Sequence, residues 1–338
     1  MAVATPNITI ATDAAVNSDS EFVARFFSPP CTPTGIAKMP GQSKFTGTYY
    51  KVDRTATADY GSTDYRRASG AAAQRGSTSL SDATITVEER AYEDGFDMDE
   101  YADLPAFGLA NAEERVISPK LSQIMMTAEE RAFDTAADAW SAGLTNTDPS
   151  AAWDYDGNNP LAQLDTAFNT VRTASGLKID GAVFSKTYFD ALKNNAHMIG
   201  RMRAGDLAGL TATQLSELLR DALFAMSPDL MNEVGSNFQI RIATATHNTA
   251  KEGQTASWDW VYDDAAIVFA RPPVDASGRC DLRGLGASKT FEVKPLITER
   301  YEEDRSVTEV YRIRWFADAA TIDANAGYKF SGMLASEL

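Results

Sequence analysis

Apolar and polar positions divide the chain into a polar leader, an early strand pair, a helical middle and a run of late strands. Residues 1–40 show no periodic apolar order, and Pro29, Pro30, Pro33 and Pro40 interrupt their second half. Such a segment has little to bury by itself, so it is expected as an extended arm, either disordered or laid on another surface. TGTYYKVDR, from Thr46 to Arg54, is rich in aromatic and β-branched residues and predicts a strand. TITVEERAYEDGFDM, from Thr84 to Met98, predicts a second, with Ile85 and Val87 alternating at its start. Residues 55–83 between them are mostly small or charged, and only Tyr60, Tyr65 and Leu80 are bulky and apolar. Two strands joined by so long a polar connection have no core of their own, and an isolated hairpin is marginal in water. The hairpin is therefore expected to dock, most simply on a neighbouring copy of the chain.

The period then changes to that of a helix. Leu121, Ile124, Met125, Ala128, Ala132, Phe133, Ala136 and Trp140 form one apolar stripe over about six turns, with Ser118 and Pro119 at its start and Gly143 as its stop. A second helix is expected in NPLAQLDTAFNTVRTASG, capped by Asn159, opened by Pro160, striped by Leu161, Leu164, Phe168 and Val171, and ended by Gly176. Next come a buried strand at Gly181 to Ser185 and a short helix over Lys186 to Asn194, with Tyr188, Phe189 and Leu192 inward. Thr211 with Gln214 has the spacing of a capping box. Phe238 to Ala245 alternates strictly and predicts a half-exposed strand. Further strands are expected at Trp258 to Ala270, Thr290 to Thr298 and Val307 to Phe316. The last should place Tyr311, Ile313 and Trp315 on one face and Arg312 and Arg314 on the other. The fold class is α+β, without internal repeats.

Composition narrows the function. Hydrophobic residues make up 44% and charged residues 23%, as in an ordinary globular protein. The longest apolar run, Ala265 to Ala270, is too short for a bilayer. The opening MAVATPNITIATDAAVNSDSEF lacks the basic start and apolar centre of a signal peptide, so no membrane or secretory role is expected. Lys and Arg number 31 against 47 Asp and Glu, a net charge of −16. That balance disfavours tight sequence-specific DNA binding, although an acidic wall can enclose DNA without holding it. Cys31 and Cys280 have no Cys or His at ligand spacing, so both are expected as packed thiols in a reducing cytoplasm, with a disulfide or a metal as the minor case.

Candidate chemistry is sparse. His197 and His247 lie outside any nucleophile motif and are expected as surface or packed side chains. DYDGNNP, from Asp154, resembles part of a calcium loop, but its glycine is misplaced and Asp165 stands where a Glu is required. It is expected as a turn. GLGAS, from Gly284, lacks the strand–helix context of a dinucleotide site. The carboxylates of YEEDR, from Tyr301, suggest a turn or a salt-bridged surface more than acid–base catalysis, with Arg300 and Arg305 flanking them. No cofactor, metal or catalytic residue is expected. A carboxylate-based hydrolase is the rival from another class, and a secreted adhesin is disfavoured.

The order of the parts carries a resemblance. YYKVDR followed by DYRRASGAAAQRGSTSLSDATITVEERAYE resembles the E-loop of lambda-type major capsid proteins of tailed phages. LSQIMMTAEERAFDTAADAW is similar to their spine helix, and WDYDGNNPLAQLDTAFNTVRTASGLKIDGAVFSKTYFDALKNN to their most recognisable stretch. FQIRIATATHN and RIRWFAD are similar to the axial domain and the returning strands. The resemblance covers most of residues 40–330 and implies a Hong Kong 97-like major capsid fold. On it, residues 1–40 are the N-arm, 41–98 the extended β-hairpin E-loop and 99–176 a P-domain with the spine helix. Residues 177–298 are the α/β A-domain, and 299–338 the returning strands and C-terminus.

The implied function is self-assembly into the icosahedral head shell that encloses a tailed virus's double-stranded DNA without sequence-specific binding. Its partners are then the chain itself, in hexamers and pentamers, with scaffold, portal and possibly cement or decoration proteins. The location is the virion capsid, assembled in the host cytoplasm. Encapsulin shells, which share the fold and enclose enzymes, are the nearest alternative. Candidate inter-subunit contacts are Tyr49, Tyr50, Tyr65, Arg66, Arg67 and Arg75 on the hairpin, facing Glu113, Glu114, Glu129 and Glu130 of a neighbour. Lys44, Lys51 and Asn325 are minor candidates for the Lys–Asn cross-link that some family members form.

Overall fold

A computed structural model describes residues 30–31, 34–38, 44–52, 80–97, 124, 126–128, 130–132, 140–199, 238–250, 254–263, 265–274, 285–303 and 308–335. Its centre is a five-stranded mixed sheet of β6 (Ala142–Thr145), β14 (Gly327–Ser331), β11 (Ala265–Phe269), β7 (Gly181–Ser185) and β8 (Gln239–Ala243), in that order. The two middle strands, AAIVF and GAVFS, are buried at every position, as continuous apolar runs covered on both faces should be. Edge strand β8 alternates between exposed and partly buried residues, as its sequence predicts.

One face of this sheet carries α1 (Pro160–Ser175) and α2 (Lys186–Asn194). Leu161, Leu164, Phe168 and Val171 of α1 pack with Ala182, Phe184, Ala266, Val268 and Phe330. Each of these large apolar side chains contributes roughly 1.5–3 kcal/mol by leaving water. Trp153 lies at the centre of the cluster, with ring centroids 5.3 Å from Phe330 and 5.5 Å from Tyr188. Its indole N–H donates to Gln163 Oε1 at 2.6 Å, so the buried donor is satisfied. Gly176 ends α1 at φ 65°, a left-handed position that favours glycine. Asn159 occupies the N-cap position but makes no side-chain capping bond, contrary to expectation; the Ala162 N–H is held by the Asn159 carbonyl instead.

On the other face, Val183, Ile267 and Phe269 meet Trp140 and Ala132. Residues 124, 126–128 and 130–132 are helical, with Ile124 and Ala132 buried and Glu130 and Arg131 exposed. The expected stripe thus has its polarity, but it does not run on through Trp140 to a stop at Gly143. Trp140 is non-helical and Gly143 lies inside β6. The parallel β6–β14 pairing brings the Lys329 carbonyl so near that a Cβ on Gly143 would lie 2.9 Å from its oxygen. This glycine serves a close strand approach, not a helix end.

A second sheet is ordered β1 (Pro30–Cys31), β12 (Ser288–Glu303), β13 (Thr308–Thr321) and β5 (Glu89–Asp97). The long β12–β13 pair slips register around Lys294, beside Pro295, which has no N–H to give the ladder. A third sheet is the hairpin of β3 (Phe45–Val52) and β4 (Leu80–Val87), edged by β2 (Thr34–Lys38). A two-stranded ribbon joins β9 (Thr246–Asn248) to β10 (Trp258–Trp260).

Two single strands expected from sequence are each divided. Thr84 to Met98 breaks at Glu88: β4 pairs with β3, whereas β5 pairs with β13 in another sheet. Trp258 to Ala270 breaks after Trp260, and an exposed ribbon strand gives way to a buried one that begins at Ala265. In both cases β propensity is continuous while the pairing partner changes, which a one-dimensional pattern does not show. The central sheet also draws strands from three of the segments delimited on the sequence. The capping-box pattern at Thr211 and Gln214 lies outside the described residues.

Candidate assembly interface

The hairpin base is the first element to test. Phe45, Tyr49, Ile85 and Val87 do not face outward at this end; they close a cluster with Cys31, Phe291, Phe316, Ala320 and Ile322. Phe45 meets Phe316 edge-on at 5.3 Å, and Tyr49 lies 5.1 Å from Phe291. Lys294 Nζ sits 5.7 Å and 5.3 Å from the Phe45 and Phe316 rings. Lys44 hydrogen-bonds Glu88 across the base, and that bond holds the Glu88 carboxyl below its ordinary range. The hairpin is therefore anchored on its own chain at the base. Nor is the arm free at residues 30–31 and 34–38, since β1 pairs with β12 and β2 with β3.

Of the predicted contact residues, Tyr49 turns toward its own chain, and burial raises its phenol. Tyr50 lies opposite Asp82 in the hairpin register, and Glu130 is exposed on the helical segment. Tyr65, Arg66, Arg67, Arg75, Glu113, Glu114 and Glu129 lie outside the described residues. Lys44 is engaged with Glu88, and Lys51 is exposed. Asn325 accepts from the Ser141 hydroxyl.

Sequence reasoning missed a charged surface on the second sheet. Arg312 and Arg314 alternate with the buried Tyr311, Ile313 and Trp315 as predicted, but their partners come from strands far away in the chain. Arg312 bonds Glu93 and lies 3.5 Å from Glu299; Arg314 bonds Glu89 and, at 3.1 Å, Glu299. The Tyr301 hydroxyl donates to Glu93 at 3.1 Å, and its ring lies 5.0 Å from the Arg312 guanidinium. The Arg312 hydrogen bond holds the Glu93 carboxyl below its ordinary range. YEEDR thus begins inside the paired strand β12, which runs to Glu303, and not in a turn.

The other sequence candidates resolve into structure. Asp154 of the calcium-loop-like turn accepts the Ala335 N–H at 3.0 Å, and the turn is pinned by buried Asn195. His197 is exposed and His247 lies in the ribbon. Among the described residues no group of three or more His, Cys, Asp or Glu is placed to hold a metal. No helix there is long and apolar enough to cross a membrane.

One expectation is corrected outright: Cys31 is disulfide-bonded, not a packed thiol. The cysteine-spacing rule tests for metal sites and small stapled domains, and it does not register a bond between positions remote in sequence. Cys280, the chain's other cysteine, lies outside the described residues.

No protein-family model and no curated protein matches the sequence. Solved structures do. A phage-related protein from Bordetella bronchiseptica superposes with a TM-score of 0.65 at 16% identity, over 98% of this chain and 100% of that one. A virus-like particle from Pyrococcus furiosus superposes with a TM-score of 0.50 at 8% identity, over 95% of this chain and 98% of that one. The chain has their fold. Capsid structures of phages are also among its structural neighbours. The capsid of Cyanophage P-SCSP1u, for example, matches with a TM-score of 0.48 at 12% identity, over 98% of this chain and 89% of that one. The α+β class expected from the sequence stands.

Proposed function

We propose that the chain is the major capsid protein of a tailed virus, a structural subunit that self-assembles into an icosahedral shell around double-stranded DNA. The observation that carries this reading is the end-to-end likeness of fold to a phage-related protein and to a virus-like particle. In this reading the architecture is Hong Kong 97-like. The hairpin of β3 and β4 is the E-loop, the helical segment and the sheet of β12 and β13 make the P-domain, and the central sheet is the A-domain. The described residues present paired charges, a hairpin and an exposed ribbon, which suit assembly through many shallow contacts. A closed shell multiplies such contacts into high overall stability. Scaffold, portal and decoration proteins, assembly in the host cytoplasm and residence in the virion follow from this reading.

Within it, Arg66, Arg67 and Arg75 of the loop pair with acidic side chains of the next subunit, such as Glu113, Glu114, Glu129 or Glu130. Sedimentation tests both levels. The wild-type chain is expected to sediment as very large particles, and Arg66→Glu with Arg67→Glu to shift material toward free subunits. A wild type that sediments as a small oligomer overturns the shell reading; a variant with unchanged particle yield overturns the pairing. The Pyrococcus particle favours a second reading, a protein shell of the encapsulin kind. Nuclease-protected DNA within the particles supports the viral reading, and a co-purifying enzyme supports the other.

A further inference from the structure

On the charged face of the second sheet, Lys294 has no carboxylate partner among the described residues, although its neighbours do. Arg312 and Arg314 are each held by carboxylates of β5 and β12, and Lys44 at the hairpin base is held by Glu88. Lys294 shares the face of Arg314, since its register partner on β13 is Phe316, two residues further on. It is exposed. Its ammonium lies over two rings, 5.7 Å from the centre of Phe45 and 5.3 Å from that of Phe316. The backbone aims it there: the β12–β13 ladder slips register on both sides of Lys294, and such irregularities redirect a side chain. Lys38 lies opposite Phe45 in the β2–β3 register and is exposed, also without a carboxylate partner among the described residues.

A lysine in water loses rotamer freedom when it forms an ion pair, which is why surface pairs add little. An ammonium already held by two rings has less freedom left to lose, so it is organised for a partner in advance. With 47 acidic residues against 31 basic ones, the chain itself offers carboxylates in excess. We propose that Lys294 is an inter-subunit contact that takes a carboxylate from a second copy of the chain, with Lys38 as the flanking positive charge. The proposal rests on the shell reading, which supplies the second copy. One such pair is weak, and repetition at every subunit contact makes it count.

The test uses particles assembled from a mixture of isotope-labelled and unlabelled full-length wild-type chain. Carbodiimide joins an amine to a carboxylate in contact with it, and mass spectrometry is expected to find Lys294 joined to an Asp or Glu of a differently labelled copy. A Lys294→Arg chain keeps the charge but has no amine at this position; it should assemble as wild type and lose that cross-link. Lys294→Glu is expected to raise the concentration needed for particles by about tenfold or more, because it sets like charges against each other. Wild-type particles in which Lys294 stays uncoupled, or is coupled only within one copy, would overturn the contact and leave the shell reading standing. A wild type that forms no particles overturns the shell reading, and this contact with it.

Discussion

Asn195 shows how much one polar side chain does in this fold. It is buried, and its amide donates to the Trp153 carbonyl at 2.9 Å, the Asn158 carbonyl at 3.3 Å and the Tyr155 carbonyl at 3.4 Å. Its Oδ1 accepts the His197 N–H at 2.9 Å, so the same residue starts α3 (Ala196–Ile199). Trp153 can remain in the core only while the turn after it is closed. Asn195→Ala removes the donor to the Trp153 and Asn158 carbonyls, whereas the Tyr155 carbonyl still accepts the Asn158 N–H, and a buried unsatisfied group costs about 1–3 kcal/mol. Denaturant unfolding of the variant is expected to show a loss in that range or above it; an unchanged midpoint would contradict this role. Nothing in LKNN marks Asn195 as different from Asn194, because its partners lie about forty residues earlier.

At the scale of elements, the central strands are pinned at one end by Asp180. Its carboxylate accepts the Arg271 N–H at 2.7 Å, its own N–H donates to the Phe269 carbonyl, and its carbonyl accepts the Gln239 N–H. Strands β8, β7 and β11 are thereby tied together just before Gly181. Burial raises the Asp180 carboxyl above its ordinary value of 3.8, although Arg271 pulls the other way. A raised folded value means that the carboxyl's favourable contribution is complete below the unfolded value and is lost as pH rises through the folded one. Asp180→Asn keeps an acceptor for Arg271 but does not titrate. Its stability relative to wild type should therefore increase as pH rises from 3.8, measured by denaturant unfolding across that window. A difference that is flat or falls with pH would contradict the assignment.

The same scale shows what the sequence made legible. Helix α1 was readable to the residue at both ends because its stripe, its Pro160 and its Gly176 are local signals. So were the buried run of β7 and the alternation of β13. The break at Glu88 was not, since it depends on which distant strand pairs with each half. Strand β14 was missed because GYKFS is short and gains its place only by pairing with β11 and β6. For the candidate interface, Arg312 and Arg314 were visible as a face, whereas Glu89, Glu93 and Glu299 were not visible as their partners. The hairpin was legible as an element with no core of its own. Its anchoring by Phe291, Phe316 and Ile322 was not, because those residues come from more than two hundred positions later.

For the whole molecule, the hairpin base changes where an assembly argument can start. The described part of the hairpin is engaged with its own chain, through Phe45, Tyr49, Ile85 and Val87. The ribbon is the more open surface: Trp258 is 68% exposed on it, although tryptophan usually buries its large apolar surface. Under the shell reading proposed above, contacts with further copies would cover it. The most direct measurement is negative-stain electron microscopy of the purified full-length chain. The account predicts uniform, closed, hollow particles. A field of small, discrete oligomers with no shells would contradict it.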